Sequence, residues 1–317
     1  MDIVDQIIDY TRNEERIFIQ THNFPDHDAV ASAFGLQTLL AQLGIRSYII
    51  YDGEMQRDSL KQMIRSLGID IRHNAEMGLV ESDRIVIVDG CKGNKNITDL
   101  IGDEIAVIDH HRVSSPEDVL FSDIRPEYGA CSSIIYGFFR SRQAGIPRNT
   151  ATALMLGINM DTALLTRGVS REDIDAYAGL YPLSDIRLEN AILRNYIQTK
   201  DLGFYRYAID HVKITGAVAY CYFPQGCNQN LLGILGDFFL ALEEVDFVIL
   251  CARNGGQVNF SLRSEREEWN ASLIIQEALR GIGFGGGHAD MAGGIINDPG
   301  LFQEDEIHRL FLQRLGG

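Results

Sequence analysis

The chain has 317 residues, of which 45% are hydrophobic and 23% charged, and its formal net charge is −16. The length allows two domains with separate cores, and the composition is typical of a globular protein in water. Long duplex nucleic acid is an unfavourable partner, because 44 acidic residues outnumber 28 basic ones and proteins that bind many phosphates carry a basic stripe.

The sequence also favours a cytoplasmic protein without a membrane partner. No apolar run approaches the ~20 residues of a membrane span, and the acidic, amphipathic start differs from a secretion signal. The cysteines are odd in number, scattered and without a C-x-x-C pair, which indicates free thiols in a reducing compartment. They are Cys91, Cys131, Cys221, Cys227 and Cys251.

The first strand leads directly into a cluster of polar side chains. After an amphipathic helix over residues 3–13, the apolar stretch 17–21 predicts a buried strand, and His22, Asp26 and Asp28 follow it before the next helix. Open α/β sheets bind ligands at the carboxyl ends of their strands, so these three residues are candidate ligands. Alternatively, Asp26 or Asp28 is an ordinary helix N-cap.

Strands and helices then alternate along the chain. Residues 47–51 predict a strand and residues 55–67 a polar helix, and two clear strands follow at 84–88 and 105–108. Alternation of this kind predicts a largely parallel sheet with right-handed crossovers.

Both of these later strands also end in possible metal ligands. The first ends in Asp89, and the second ends in Asp109, His110 and His111. Because the ends of parallel strands lie along one edge, these residues are predicted to converge with the cluster after the first strand. A further candidate is Asp161, predicted in a glycine-containing turn among apolar neighbours, where a buried carboxylate needs a partner.

The second half of the chain predicts another α/β unit. A long polar helix over 186–205 resembles a connector. Strand-like and helical segments follow, and Asn254-Gly255-Gly256 between two apolar stretches predicts a hairpin. The fold class is therefore α/β with two domains. The N-terminal one is a mainly parallel sheet with helices on both faces, and the smaller C-terminal one has a mixed sheet. The boundaries are 1–185, a helical linker at 186–205, and 206–317.

The converging side chains form a ligand set rich in oxygen and free of sulfur. Such a set favours Mn²⁺ or Mg²⁺ over structural zinc, and the two imidazoles make Mn²⁺ the better choice. Four carboxylates would be neutralised by two divalent ions, and a carboxylate on a central strand can bridge ions ~3.5–4 Å apart. The predicted ligands are His22, Asp26, Asp28, Asp89, His110 and Asp161.

Several motifs together resemble one family. The segments THNFPDHDAVAS, VIVDG, VIDHH and GINMDT are similar to the four motifs of the DHH phosphoesterase superfamily, and FSLRS and GGGHADMAGG are similar to its DHH-associated domain. The layout is most similar to the NrnA-type nanoRNase and oligoribonuclease branch. The resemblance implies a Mn²⁺-dependent phosphodiesterase that hydrolyses short oligoribonucleotides, from linear dinucleotides upward, to 5′-mononucleotides. It also implies 3′-phosphoadenosine 5′-phosphate as a further candidate substrate and a possible homodimer.

The resemblance assigns roles in the first domain. It implies that His22, Asp26 and Asp89 hold one ion, whereas Asp89 and three further residues hold the second ion. Asp109 would orient a histidine, as carboxylates near metal sites commonly do. His111 would face the scissile phosphate as a catalytic residue, together with Asp89, Asp109 and His110. The remaining ligands of the second ion would be Asp28, His110 and Asp161.

The resemblance also assigns residues in the second domain. Arg263 and His288 would bind the terminal phosphate of the substrate, with the backbone N–H groups of Gly285, Gly286 and Gly287 nearby. Two departures concern specificity. His27 stands where many relatives have glycine, and an acid, Asp290, follows His288 where relatives often have a basic residue.

Other interpretations remain open. The glycines of 283–287 could form only a turn, and Arg263 could be a surface arginine on an edge strand. One alternative function is hydrolysis of pyrophosphate or polyphosphate, which uses the same motifs; the absence of a lysine- and arginine-rich C-terminal loop argues against it. Another is a nucleotide-binding regulatory protein without turnover, which would be expected to lack some of the ligands.

Overall fold

A computed structural model describes residues 2–55, 57–194 and 197–315. The chain divides into two compact units, Met1–Tyr196 and Ile197–Gly317. Three short parts of the predicted segments lie outside the described residues: residue 56 of the predicted helix, residues 195–196 of the predicted linker, and the terminal residues 1, 316 and 317.

The first unit contains a six-stranded sheet in which every described pairing is parallel. Its spatial order is β3-β2-β1-β4-β5-β6, so the chain reverses direction across the sheet between β1 and β4. The two edge strands have three and four residues, too short to show an apolar pattern, and were not predicted. The strands are β1 Ile17–Gln20, β2 Ser47–Tyr51, β3 Ile71–His73, β4 Arg84–Val88, β5 Asp103–Asp109 and β6 Phe121–Ile124.

In the described part of the first unit, seven α-helices pack into one core. Their buried apolar side chains join those of one sheet face, and α2 and α5 form the centre of this layer. The helices are α1 Ile3–Thr11, α2 His27–Gln42, α3 Asp58–Leu67, α4 Cys131–Ser141, α5 Arg148–Asp161, α6 Arg171–Leu180 and α7 Ile186–Arg194.

The other face of this sheet is covered by loops rather than by helices. Phe18, Ile85 and Val107 point to that face and pack against apolar side chains from loop segments within 77–119. This differs from the prediction of helices on both faces. The connections between β3, β4, β5 and β6 contain no α-helix among the described residues, so loops bury this side instead.

The predicted connector is not one continuous helix. α7 ends at Arg194, and Ile192 is buried in the core of the first unit. A new N-terminal signal follows, in which Gln198 and Asp201 cap each other, and α8 begins immediately after it at Leu202–His211. The polar helical pattern over 186–205 therefore belongs to two helices, each assigned to a different unit.

The second unit contains a mixed six-stranded sheet in the order β11-β12-β10-β9-β8-β7. Among the described strands of this unit, only β8 and β9 pair in parallel, and residues 255–256 form the predicted hairpin between β9 and β10. The predicted α/β fold class with a parallel first sheet and a mixed second sheet is confirmed. The elements are β7 Lys213–Thr215, β8 Val218–Phe223, α9 Gln229–Leu240, β9 Phe247–Asn254, β10 Gln257–Ser264, α10 Ala271–Ala278, β11 Phe284–Gly287, β12 Met291–Ile296 and α11 Glu304–Arg314.

All five cysteines are buried and none forms a disulfide. Among the described residues, no helix has both the length and the apolar character needed to cross a bilayer.

Candidate metal centre

The ends of three neighbouring strands supply most of the candidate site. His22 follows β1, Asp89 follows β4, and His110 follows β5, and these strands lie side by side in the sheet. The remaining acids come from the beginning of α2 and the end of α5. The topology therefore brings residues from distant parts of the sequence to one sheet edge, as the parallel arrangement predicts.

Among the residues that the structure describes, three groups of possible ligands converge there, and Asp89 belongs to all of them. Within each group, one ligand atom from every residue lies within 4.8 Å of the others. The groups are His22, Asp26 and Asp89; Asp28, Asp89, His110 and Asp161; and Asp89, His110 and His111. All six residues predicted to bind metal are thus brought together, and their role as ligands stays a prediction.

Asp89 has a backbone conformation suited to its central place. Its φ is 55°, in the left-handed region, which asparagine and aspartate enter more readily than other residues with a side chain. Its N–H donates to the carbonyl of Ile108 on the neighbouring strand at 2.9 Å. The carboxylate is almost fully buried, with Oδ1 3.3 Å from His110 Nε2 and Oδ2 3.7 Å from His22 Nε2.

Backbone carbonyls fix the orientation of both imidazoles. His22 Nδ1 donates to the carbonyl of Asn23 at 2.8 Å, and His110 Nδ1 donates to the carbonyl of Tyr128 at 3.2 Å. Because a carbonyl oxygen only accepts, each Nδ1 carries the proton and Nε2 faces the carboxylates. This is the arrangement by which metal-binding histidines are usually held.

Asp26 serves both purposes that the sequence suggested. Its Oδ1 caps α2 by accepting from the N–H groups of Asp28 and Ala29, at 3.0 and 3.1 Å. The same oxygen lies 3.8 Å from His22 Nε2. Burial alone would raise the pKa of Asp26, but the facing His22 and the cap hydrogen bonds lower it below its ordinary value.

Asp28 lies in the first turn of α2 and is fully buried against the N-terminus of α4. Its Oδ2 accepts from the N–H of Cys131 at 2.6 Å and its Oδ1 from the N–H of Ser132 at 2.9 Å, at the N-terminus of α4. Gly157 of α5 packs against this group, and a Cβ there would lie 2.7 Å from Asp28 Oδ1. Burial and the neighbouring acids, Asp89 first, raise the pKa of Asp28 well above its usual range.

Asp161 lies at the end of a helix, which corrects its predicted place in a glycine-containing turn. α5 continues through Gly157 and ends at Asp161. Glycine occurs inside this helix because the close packing at position 157 leaves no room for a side chain. Asp161 Oδ2 is 3.3 Å from His110 Nε2. Three consecutive residues with positive φ follow: Ala163, Leu164 and Leu165.

The centre as a whole attracts positive charge. Burial would lower the pKa of His22 and His110, but the facing carboxylates outweigh it and raise these values to about 10 and about 12. Burial and acidic neighbours raise the pKa of Asp161 to about 6. Three buried atoms here have no hydrogen-bond partner among the described residues: Asp89 Oδ1, Asp109 Oδ2 and His110 Nε2. Asp89 and His110 belong to the ligand groups, and a divalent cation would satisfy their two atoms, so the residues fit a metal.

His111 lies at the exposed margin of the centre. Its Nδ1 is 2.8 Å from Asp109 Oδ1, and the same oxygen accepts from the N–H groups of His110 and His111. The hydrogen bond with His111 lowers the pKa of Asp109 against the effect of burial, and raises the pKa of His111. Asp109 therefore orients His111, whose side chain is 45% exposed and can meet a substrate.

His27 lies between two predicted ligands in the chain, but its ring is not part of a ligand group. It is fully buried at the first position of α2, and neither ring nitrogen has a hydrogen-bond partner in the part of the chain that is described. Burial and the nearby Arg57 lower its pKa to about 4. His27 is therefore neutral at pH 7 and belongs to none of the three ligand groups.

In the second unit, the predicted phosphate-binding residues have different environments. Arg263 is 16% exposed and forms an ion pair with Asp237 of α9 at 2.5 Å, and Gly233 leaves room for its guanidinium. His288 is exposed just after β11, and its N–H donates to the carbonyl of Met291 at 2.7 Å. The backbone carbonyl of Asp290 accepts from the N–H of Ser264.

Gly285, Gly286 and Gly287 form a strand rather than a flexible turn. They pair with β12, and β11 is the edge strand, so some of its N–H groups point away from the sheet. Gly285 and Gly287 lack room for a side chain, whereas Gly286 faces open space.

Sequence reasoning missed the partners that hold the ligands. These include the carbonyls of Asn23 and Tyr128 and the N–H groups of Cys131 and Ser132. Backbone groups carry no residue-type signal, so no sequence pattern could have identified them.

Two family models match the chain. The DHH family, N-terminal domain, matches residues 16–158, and the DHHA1 domain matches residues 215–315. These ranges contain all the predicted site residues except Asp161.

Curated relatives and a solved structure are also similar. An uncharacterized protein of Methanocaldococcus jannaschii, MJ1633, is 30% identical over 288 residues, which cover 90% of this chain and 59% of that protein. A probable manganese-dependent inorganic pyrophosphatase of Streptococcus thermophilus is 28% identical over 179 residues, covering 55% of this chain and 57% of that protein. The chain thus spans less than two thirds of each of these relatives.

An exopolyphosphatase-related protein from Bacteroides fragilis has a similar fold, with a TM-score of 0.81 at 21% identity. The alignment covers 99% of this chain and 95% of that one.

Proposed function

The chain belongs to the DHH phosphoesterase superfamily, with a DHH domain followed by a DHHA1 domain, and from this premise we propose that it is a Mn²⁺-dependent phosphodiesterase. Its substrates are short oligoribonucleotides, from linear dinucleotides upward, which it hydrolyses to 5′-mononucleotides. 3′-Phosphoadenosine 5′-phosphate is a second candidate substrate for the same centre.

One observation carries this proposal. Four carboxylates and two imidazoles meet at one sheet edge, and buried Asp89 Oδ1 and His110 Nε2 lie 3.3 Å apart without a hydrogen-bond partner among the described residues. A purely structural cluster would leave these acids repelling one another at a cost in stability. Oxygen-rich sites with imidazole favour Mn²⁺, and one relative is a probable manganese-dependent inorganic pyrophosphatase.

The proposed hydrolysis assigns a separate task to the ligands and to His111. When bound, two divalent cations activate water and stabilise charge at phosphorus. Asp89 faces both imidazoles and would serve both cations. His111, which Asp109 orients at the exposed margin, would donate a hydrogen bond to the scissile phosphate.

In the second unit, Arg263 and His288 bind a terminal phosphate of the substrate. Arg263 is already paired with Asp237, so phosphate would share its guanidinium with that carboxylate. His288 is exposed, and the backbone hydrogen bonds that hold it run to Met291 and Ser272. We expect His288→Ala to raise KM with little change in kcat, because it removes binding rather than chemistry.

Hydrolysis of pyrophosphate or polyphosphate is the alternative enzyme function. The similarity to a probable pyrophosphatase supports it, but that match covers 55% of this chain and leaves the rest unexplained. A regulatory nucleotide-binding protein without turnover is a third possibility, although all six predicted ligands are present.

The test is hydrolysis of labelled RNA of two to 24 nucleotides with Mn²⁺. We expect the fastest cleavage for the shortest strands, and loss of turnover by several orders of magnitude in Asp89→Asn. Asparagine keeps the left-handed backbone at this position, so the variant should fold. Asp175→Asn, at an exposed position of α6, is the matched control and should behave like the wild type.

Three outcomes would contradict the proposal. Faster cleavage of 24-nucleotide RNA than of dinucleotides would reject the preference for short substrates. Release of orthophosphate from pyrophosphate at a rate matching dinucleotide cleavage would favour the alternative enzyme. Wild-type turnover by Asp89→Asn would show that Asp89 has no central role.

A further inference from the structure

One short segment, residues 128–133, holds two of the predicted ligands. At its start, the carbonyl of Tyr128 accepts from His110 Nδ1 at 3.2 Å. Further along, the N–H groups of Cys131 and Ser132 donate to the two oxygens of Asp28. His110 and Asp28 belong to the same ligand group, which also contains Asp161. The position of this segment therefore sets the geometry of one half of the metal centre.

A buried acid outside the centre anchors both ends of this segment. Asp173 of α6 is fully buried, and its Oδ2 accepts from the N–H of Gly129 at 2.8 Å. Its Oδ1 accepts from the hydroxyl of Ser133 at 2.5 Å. Ser170 adds two hydrogen bonds to Oδ2, from its N–H and its hydroxyl. One carboxylate thus binds the segment on either side of the groups that contact Asp28.

A single peptide unit connects this anchor to the imidazole. The carbonyl of Tyr128 and the N–H of Gly129 belong to the same planar group. The N–H donates to Asp173 while the carbonyl accepts from His110, so the negative charge on Asp173 polarises the carbonyl and strengthens its bond to the ring. Gly129 is also confined, since a Cβ there would lie 2.7 Å from the carbonyl oxygen of Gly168 and 2.8 Å from Asp173 Oδ2.

We propose that Asp173 is a positioning residue for the half of the metal centre formed by Asp28, His110 and Asp161. This inference rests on the proposed metal-dependent function. It does not extend to the half formed by His22 and Asp26, because neither of these residues contacts residues 128–133 through a described hydrogen bond. His22 instead bonds to the carbonyl of its neighbour Asn23.

The experiment measures Mn²⁺ binding, without substrate, by calorimetry and by electron paramagnetic resonance. The wild type should bind two ions and show the signal of a spin-coupled pair. Asp173→Ala should retain one ion with unchanged affinity, bind the other about 10- to 100-fold more weakly, and lose the coupled signal at subsaturating Mn²⁺.

A second route avoids removing the buried carboxylate, in case Asp173→Ala does not fold. Gly129→Ala should displace the same peptide by steric pressure and weaken the same ion. Gly137→Ala on α4 is the matched control, because a Cβ at Gly137 meets nothing within 4 Å, and it should bind both ions normally. Ser170→Ala removes a hydroxyl from Asp173 but leaves both bonds to residues 128–133, and should also bind two ions.

The outcomes separate this inference from the proposed function. A wild type that binds no Mn²⁺ would reject the metal centre itself, and the inference with it. A wild type that binds two ions, with folded Asp173→Ala or Gly129→Ala binding both at wild-type affinity, would reject only the role of Asp173. Loss of an ion in Ser170→Ala would also reject the role of Asp173, because weaker metal binding would then result from destabilisation of α6.

Discussion

Asp26 shows how a single carboxylate can combine a structural and a chemical task. Its Oδ1 accepts from two N–H groups at the start of α2 while the carboxylate faces His22. A helix cap needs only a short acceptor, whereas a divalent cation needs negative charge. The two tasks can therefore be separated by substitution.

We expect Asp26→Asn and Asp26→Ala to differ in stability but not in metal binding. Asparagine is an equally good N-cap, so without metal the free energy of unfolding of Asp26→Asn should be close to that of the wild type. Alanine should lower the free energy of unfolding by about 1 kcal/mol. Both should weaken Mn²⁺ binding, and urea titration with calorimetry measures the two properties. Equal unfolding free energies for the two variants would show that the cap contributes little.

The candidate site was predictable from residue types because the chemistry requires unusual side chains at strand ends. Aspartate and histidine directly after apolar strands are visible without any structure, as at His22 and Asp89. The backbone groups that orient them are not, because every residue offers the same N–H and carbonyl. Asp161 was misplaced for a related reason: glycine at 157 suggested a turn, and only the packing against Asp28 explains a glycine inside a helix.

At the level of elements, one methyl group added at Gly157 should disturb the contact between α5 and Asp28, the buried acid of α2. We expect Gly157→Ala to lower the free energy of unfolding by about 1–3 kcal/mol, because its Cβ would lie 2.3 Å from Ser132 Oγ and 2.7 Å from Asp28 Oδ1. Mn²⁺ binding should weaken as well. Chemical denaturation and calorimetry are the measurements.

The control for this substitution is Gly203→Ala on α8. A Cβ there meets nothing within 4 Å, so alanine should stabilise the helix by up to about 1 kcal/mol. If Gly157→Ala were as stable as the wild type, α5 would have room that the structure does not show.

The junction of α5 and α7 contains a carboxyl group that should make stability depend on pH. Glu189 is buried on α7 and accepts a hydrogen bond from the side-chain amide of Asn159. Burial raises its pKa from 4.5 to about 7, although the bond to Asn159 opposes the shift. Between these values the unfolded chain has lost the proton and the folded chain keeps it, so rising pH favours unfolding.

We therefore expect Glu189→Gln to gain stability relative to the wild type as the pH rises. The difference in melting temperature should be small near pH 5, grow through pH 7 and level off above it, because glutamine keeps the acceptor for Asn159 without a charge. Thermal melts from pH 5 to pH 8 are the measurement. Glu172→Gln, exposed on α6, should show no such trend. A constant difference at every pH would assign the effect to packing instead.

Sequence patterns predict long buried strands, but they do not predict short edge strands or the break between two successive helices. Strands of five or more residues with buried faces, such as β2 and β4, were predicted because their apolar side chains repeat. The edge strands β3, β6 and β7 have three or four residues and expose part of their surface, so propensity alone cannot distinguish them from loops. The false continuous helix over 186–205 arose because both α7 and α8 have helical composition and the break between them is a capping signal.

For the whole molecule, the net charge of −16 should make substrate selection depend on salt. A long RNA presents more phosphates to the acidic surface than a dinucleotide does. Screening shortens the reach of this repulsion from about 30 Å at 0.01 M salt to about 8 Å at 0.15 M. The preference for dinucleotides over 24-nucleotide RNA, measured as a ratio of kcat/KM, should therefore fall as salt is added.

A comparison of two short substrates provides the internal control. The ratio for dinucleotide against trinucleotide involves one additional phosphate and should change least with salt. If the dinucleotide preference over 24-nucleotide RNA were the same at both salt concentrations, repulsion would not be its cause and the shape of the binding surface would have to explain it.

The buried cysteines have a practical consequence for labelling. Burial raises the pKa of the Cys221 and Cys227 thiols to about 12 and that of Cys131 well above its ordinary value, so little reactive thiolate is present at neutral pH. The native chain should resist maleimide and iodoacetamide reagents while folded. A cysteine introduced at Leu273, which is 58% exposed, would then accept a fluorophore selectively, without removal of any natural thiol.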